Sequence, residues 1–298
     1  MSSTLAPSNA GPAPATLAIV VNFNGGQWLR RCVQALRQSC RPVSIRVVDN
    51  HSADDSLASI GQWLEPGGPV QLIRNTENRG FSVACNQGAE DASSSYLLFV
   101  NPDCQVEEDT VGAMEDALEQ HPEAGIAGVC VVGPDGLEQR GSRRRAPTLL
   151  GASGSALGLE GTRGINPRGP APSEPTAVEA VSGAVMLVRE ACFREIGGFD
   201  EGYFLHCEDL DLFARARLAG WKILYLPRIR AVHQGGASHR GLRLRTERHK
   251  HAGMVRYYRR HLAADVPPWL RWFWPLAIWA RYLLLVPALV WRQWRESR

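Results

Sequence analysis

From Leu17 to Val132 the chain alternates short apolar runs with amphipathic stretches, and most of the runs close on a polar residue. Leu17 to Phe23 ends at Asn24, Val43 to Val48 at Asp49-Asn50, Val70 to Arg74 at Asn75, and Tyr96 to Val100 at Asn101-Pro102-Asp103. The intervening segments Gln27 to Gln38, Phe81 to Ala89 and Glu107 to Gln120 have helical spacing, and Ser52 and Asp54 can cap another helix running to about Leu64. Ile126 to Val132 is one more strand. Strands buried on both faces read as unbroken apolar runs, and their alternation with helices implies a doubly wound, mostly parallel sheet. Ligands of such sheets bind beyond the carboxyl ends of the strands, so the polar run ends are the first functional candidates.

The second half is less regular. Residues 133–175 are rich in Gly, Pro, Ser and Arg without periodicity, which predicts a long lid or acceptor-facing loop. A strand from Val178 to Val188 is interrupted at Gly183, where a glycine often marks close approach by a ligand or another backbone. A short helix at Glu190 to Ile196, the turn Gly197-Gly198-Phe199-Asp200, a helix from Glu208 to Leu218, and strands near Trp221–Tyr225 and Ile229–His233 follow. The helix dipole favours acids in a first turn, but it does not account for three in the four positions Glu208-Asp209-Leu210-Asp211. With Asp103 they supply the minimum for a metal-assisted displacement at a diphosphate ester: one carboxylate for the metal and one for a proton. His233 ends a strand; a lone histidine is more often structural, although imidazole suits Mn²⁺. Asp49 can accept from the imide N–H of uracil or thymine, or close an Asx turn, and both readings stand.

Several classes drop out. No Gly-x-Gly-x-x-Gly follows the first strand, and there is no Walker lysine loop and no Gly-x-Ser-x-Gly elbow. The seven cysteines are odd in number, scattered and without a Cys-x-x-Cys pair, which argues for a reducing, cytoplasmic setting. Residues 1–16 lack a basic start and an apolar core, and read as a disordered leader. The expected division is therefore leader 1–16, a catalytic domain 17–240, and a basic then aromatic segment 241–298.

The ordered series Val21-Asn22-Phe23-Asn24, Val47 to Asp54, Asn78 to Gly88 and Leu98 to Asp103 resembles family 2 glycosyltransferases of the GT-A fold. So do Ser182-Gly183-Ala184, Gly197 to Asp200, Tyr203 to Leu212, Ala219-Gly220-Trp221 and His233-Gln234-Gly235-Gly236. The resemblance is greatest to the bacterial rhamnosyltransferase branch and covers about residues 17–260. It implies an α/β fold with a Rossmann-like, mostly parallel central sheet, and inverting transfer from a dTDP- or UDP-sugar to a hydroxyl of a lipid-linked or glycan acceptor. It further implies Asp209 as general base, supported by Glu208 and Asp211, with Asp103 and His233 holding Mn²⁺ or Mg²⁺. Asn22, Asn24, Asp49, Arg79, Gly80, Asn86, Asn101 and Gly183 are then the nucleotide-sugar residues. Asn101-Pro102-Asp103 carries one carboxylate where many relatives carry two. Galactofuranose or an N-acetylhexosamine is the alternative sugar, and a catalytically silent scaffold of the same fold the alternative class.

Trp269 to Trp294 is apolar and aromatic, but Arg281 near its middle would cost about 2.5–3.5 kcal/mol at a bilayer centre. Arg271, Arg281, Arg292 and Arg295 fall within roughly one third of a helix turn, which suits amphipathic C-terminal helices lying at the inner membrane surface. Pro275 and Pro287 would kink such a helix. Between Arg240 and Arg260 stand eight Arg or Lys and one acid, Glu247. Without a recognition motif or interleaved aromatics these fit acidic lipid headgroups or a lipid diphosphate and not nucleic acid. A second copy of the chain is a further candidate partner.

Overall fold

The structure is a computed structural model that describes residues 15–64, 68, 70–149, 165–166, 172–235 and 243–296. Most of the expected leader, the middle of the expected lid, Gly236 and Arg240 lie outside the described residues, as do the side chains of Arg292 and Arg295.

Strands β1 (Thr16–Asn22), β2 (Val43–Asp49), β3 (Val70–Arg74) and β4 (Tyr96–Val100) form the parallel half of a nine-stranded sheet. Helices α1 (Gln27–Arg37) and α2 (Phe81–Ala89) are the crossovers. After β5 (Cys104–Val106) and α3 (Thr110–Gln120), β6 (Ala124–Val132) crosses the sheet. The short strands β7 (Arg143–Arg144), β8 (Thr176–Val178) and β9 (Ala180–Val181) precede β10 (Val185–Arg189) and α4 (Glu190–Glu195). Helix α5 (Glu208–Leu218), strand β11 (Lys222–His233), and helices α6 (Arg243–Tyr257) and α7 (Phe273–Glu296) complete the chain.

The strand order β3-β2-β1-β4-β10-β6-β11-β5 makes β1 and β4 neighbours with connections leaving in opposite directions, the switch point at which open α/β sheets bind ligands. β10 runs antiparallel to both β4 and β6, so the sheet is mixed, and parallel chiefly in its first half.

Alternation along the strands builds two cores. Ala18 and Val20 of β1 pack with Leu29, Val33 and Leu36 of α1 and with Val111 and Met114 of α3. Leu17, Ile19 and Val21 face the other side, with Ala84 and Cys85 of α2 and Leu212 and Phe213 of α5. Each fully buried Leu, Ile, Val or Phe contributes about 1.5–3 kcal/mol, so both faces of β1 help hold the three layers together.

Three local expectations are corrected. The segment after Asp54 forms only a short 3₁₀ helix, Ala58–Trp63. The two late strands are one, β11, whose register against β6 shifts between Leu226 and Arg230, around Pro227, which lacks an N–H for the ladder. The strand expected through Gly183 is broken into β8, β9 and β10.

Candidate active site

A cleft of about 500 Å³ opens at the carboxyl ends of β1 and β4. Val21, Phe23, Asn101, Pro102 and Asp103 line it, as do Gly183, Phe204, Glu208 and Asp209. His233, Gln139 and Arg144 also line it, and α6 contributes Arg245, Thr246 and His249.

Asp103 and His233 meet because β11 pairs antiparallel with β5, placing His233 opposite Cys104. His233 Nε2 stands 3.3 Å from Asp103 Oδ1, and the Asp103 side chain is 9% exposed. Gln139, which no sequence signal singled out, fixes the ring. Its Nε2 donates to the His233 carbonyl at 2.7 Å, which turns its Oε1 toward His233 Nδ1 at 2.9 Å. An amide oxygen accepts only, so Nδ1 carries a hydrogen and a neutral ring presents the Nε2 lone pair to the carboxylate. At that distance the two groups form an ion pair if the ring is protonated, and can share a cation if it is neutral. Cys104 also lies in this group, but its buried thiol is pushed well above the ordinary range, chiefly by desolvation. Of the three, the carboxylate and the imidazole are the ligand types that suit Mn²⁺ or Mg²⁺, with sites left for phosphate oxygens and water, whereas a soft thiolate suits other metals.

Asp209 begins α5, whose first turn follows two consecutive left-handed residues, His206 (φ 69°) and Cys207 (φ 70°). Non-glycine residues in that region cost energy and must be held by their surroundings. Helix α6 does this at Gly253, where a Cβ would stand 2.6 Å from the His206 carbonyl oxygen. Asp209 Oδ1 accepts from the Leu210 N–H at 2.8 Å, and Oδ2 accepts from Arg144. Arg144 also donates to the Val181 carbonyl, so the guanidinium joins β9 to α5. Gly183 lies between strands and against a side chain, not another backbone: a Cβ there would lie 3.0 Å from Asp209 Cβ and 3.1 Å from Oδ2.

Burial and then the neighbouring Asp209 charge push the Glu208 carboxyl up to about 8. Its Oε2 is buried without a hydrogen-bond partner. Burial at the edge of the cleft therefore favours the uncharged form of Glu208. Asp211 sits apart: it is fully buried behind α5, bonded to Arg215 at 2.7 Å and to His261 at 2.7 Å.

The remaining predicted residues divide. Gly80, Asn101 and Gly183 line the cleft with Asp103, Glu208, Asp209 and His233. Asn22 and Asp49 lie outside its lining: Asn22 Nδ2 donates to Asp49 Oδ1 at 2.8 Å, and the N–H and Oγ of Ser52, three residues on, donate to the two Asp49 oxygens, so the carboxylate ties down the loop after β2. Asn24 accepts from the Ala53 N–H at 2.8 Å and pins the same loop. Asn86 bonds both backbone groups of Phe199 and ties α2 to the Gly198 turn. Arg79 is exposed beside Gly80 and outside the lining.

The profile described as Glycosyl transferase family 2 matches residues 17–192. The N-acetylglucosaminyl-diphospho-decaprenol L-rhamnosyltransferase of Mycobacterium tuberculosis is 31% identical over 72% of this chain and 74% of its own length. Rhamnosyltransferase WbbL of Escherichia coli is 33% identical over 48% of this chain and 53% of its own length. Among solved structures, the mannosyltransferase PcManGT from Pyrobaculum calidifontis, in complex with GDP-Man and Mn²⁺, superposes with a TM-score of 0.59 over 95% of this chain and 74% of that one. At 16% identity that likeness carries the fold alone.

Proposed function

The chain belongs to glycosyl transferase family 2, and we propose that it transfers rhamnose from a dTDP- or UDP-sugar, with inversion, to a hydroxyl of a lipid-linked glycan acceptor at the inner membrane surface. The observation that supports the reading is that one cleft at the switch point is lined by both Asp209 and the Asp103–His233 pair. The sugar and acceptor classes are supported by what the M. tuberculosis relative is named for.

Asp103 and His233 would hold Mn²⁺ or Mg²⁺, which when bound supplies charge stabilisation for the departing diphosphate. Asp209 takes the acceptor proton as the new oxygen–carbon bond forms at the anomeric centre. The bond from that carbon to the diphosphate breaks, and its electron pair leaves with the nucleotide. Arg144 holds Asp209 against Gly183 and yields Oδ2 when the acceptor hydroxyl arrives. Protonated Glu208 orients the sugar as a donor. Asp103, Asp209 and His233 are all present in the cleft, which counts against a silent scaffold.

Asp209→Asn tests the assignment. Turnover with a nucleotide-rhamnose donor and a short-chain N-acetylglucosaminyl diphospholipid should fall about 100- to 10,000-fold. Binding of the nucleotide with Mn²⁺, read by thermal shift, should survive. Near-normal turnover in the variant would falsify Asp209 as the base.

A further inference from the structure

We propose that the face of α6 carrying Arg245 and His249 is the subsite for the diphosphate of the lipid-linked acceptor. This rests on the reading of the chain as a transferase to such an acceptor.

Helix α6 has two working faces. Arg245, His249 and Gly253 follow at four-residue spacing and so share one side. That side meets the turn leading to the catalytic helix: Gly253 abuts the His206 carbonyl, the His249 ring stacks on Phe204 at 4.2 Å, and Arg245 lies over the same ring at 5.7 Å. Both Arg245 and His249 line the cleft that Asp209 faces. The opposite side of α6 carries His251, whose Nε2 is 3.0 Å from Arg281 of α7. One helix therefore borders the catalytic cleft on one side and a long apolar helix on the other. Leu276, Leu283, Leu284 and Trp291 of α7 are exposed.

A lipid-diphosphate sugar has the same order of parts: a polar ring, two phosphates, then hydrocarbon. With the ring at Asp209, the diphosphate falls beside Arg245 and His249, and the chain can lie along α7. The charge is suited to an anion. The one acid of α6, Glu247, is 3.5 Å from both Lys250 and His251, while the partner of Arg245 among the described residues is the Phe204 ring. Burial and then the charges of Arg245 and Arg248 hold the His249 imidazole below its ordinary range. An anion seated there relieves that repulsion, and a guanidinium fork matches phosphate oxygens in pairs.

The test uses the full chain with excess dTDP, UDP and Mn²⁺, so that the donor site is filled, and farnesyl diphosphate as the probe in calorimetric titration. The wild type should bind it, and Arg245→Gln should bind about 10- to 100-fold more weakly, the range for losing one charged hydrogen-bonded contact. Arg259→Gln, exposed on the segment after α6, should bind as the wild type does. Equal affinity in Arg245→Gln, equal loss in Arg259→Gln, or a wild type that ignores the probe overturns the subsite. So does weakened nucleotide binding in Arg245→Gln, which would place the arginine on the donor. Failure of the transferase reading looks different: no nucleotide sugar is consumed, whatever the probe does.

Discussion

Gly183 and Gln139 show how a single residue positions chemistry it does not perform. A methyl group on Gly183 would meet Asp209 at 3.0–3.1 Å, closer than nearly all real contacts of that kind, and Arg144 holds the carboxylate from its other side. Gly183→Ala should therefore displace Asp209, lowering turnover at least about tenfold while the nucleotide KM stays near wild type, the pattern of an interaction made in the transition state. Steady-state kinetics with varied donor reads both. Gln139 bonds the backbone and the ring of His233 at once. Gln139→Leu frees the imidazole to rotate and to change tautomer, and Mn²⁺ affinity measured by titration should fall about 10- to 100-fold. Retained affinity would leave Gln139 a purely structural residue.

At the scale of elements, α5 is clamped to the C-terminal segments through buried charge. Asp211 of α5 accepts from Arg215 and pairs with His261, and Arg260 lies 3.6 Å away. Asp200 binds both Arg256 and Arg260, fastening the turn before α5 to α6 and the segment after it. Burial by itself pushes the Asp211 carboxyl up, but His261, Arg215 and Arg260 more than reverse it, leaving it below its ordinary value of 3.8. A depressed folded pKa stabilises the fold above the unfolded value and is lost as pH falls through the folded one. Removing a buried charged partner costs about 3–5 kcal/mol, so Asp211→Asn should unfold at much lower urea than wild type at pH 7. The gap should narrow below pH 3.8, and a gap independent of pH would contradict the ion-pair account. Because α6 is held this way, the strained turn at His206 and Cys207 has a rigid backing, and Asp209 a fixed starting point.

For the whole molecule, the decisive feature is the apolar surface of α7. Within Pro268–Trp291 an 18-residue window reaches a mean hydropathy of 1.6, and the segment is long and apolar enough to cross a membrane by length and composition. Arg281, costly by itself in hydrocarbon, is paired with His251, and Arg271 turns back onto the Val266 carbonyl at 2.9 Å, so both engage protein. Exposed leucines and tryptophans next to basic α6 have the composition that suits an anionic lipid surface, which vesicle binding tests. Leu284 is 82% exposed, so Leu284→Glu should leave the fold intact and weaken co-sedimentation with anionic vesicles about tenfold, from the loss of one buried Leu. Unchanged sedimentation would point to α7 as a protein contact.

Much of this architecture is legible along the chain because its causes are local. Unbroken apolar runs, buried on both faces, mark β1 and β4, 3.6-residue spacing marks α1, α2 and α5, and the polar residue after most of the apolar runs marks a strand end. The same local rules single out Asp103 after its apolar strand and the acidic cluster Glu208 to Asp211, whereas the roles expected of Asp209 and His233 come from the family resemblance. What they cannot supply is pairing across the fold. Only the register of β11 on β5 brings His233 to Asp103, and only the hydrogen-bond geometry reveals Gln139 as the residue that sets its tautomer. Asn22, Asn24, Asp49 and Asn86 carry the same donors and acceptors as ligand residues, yet the tertiary structure gives those bonds to loops and turns. Hydrogen-bonding capacity is written in the residue type, whereas its partner depends on which distant segments arrive within 3 Å or so, and that is decided by packing.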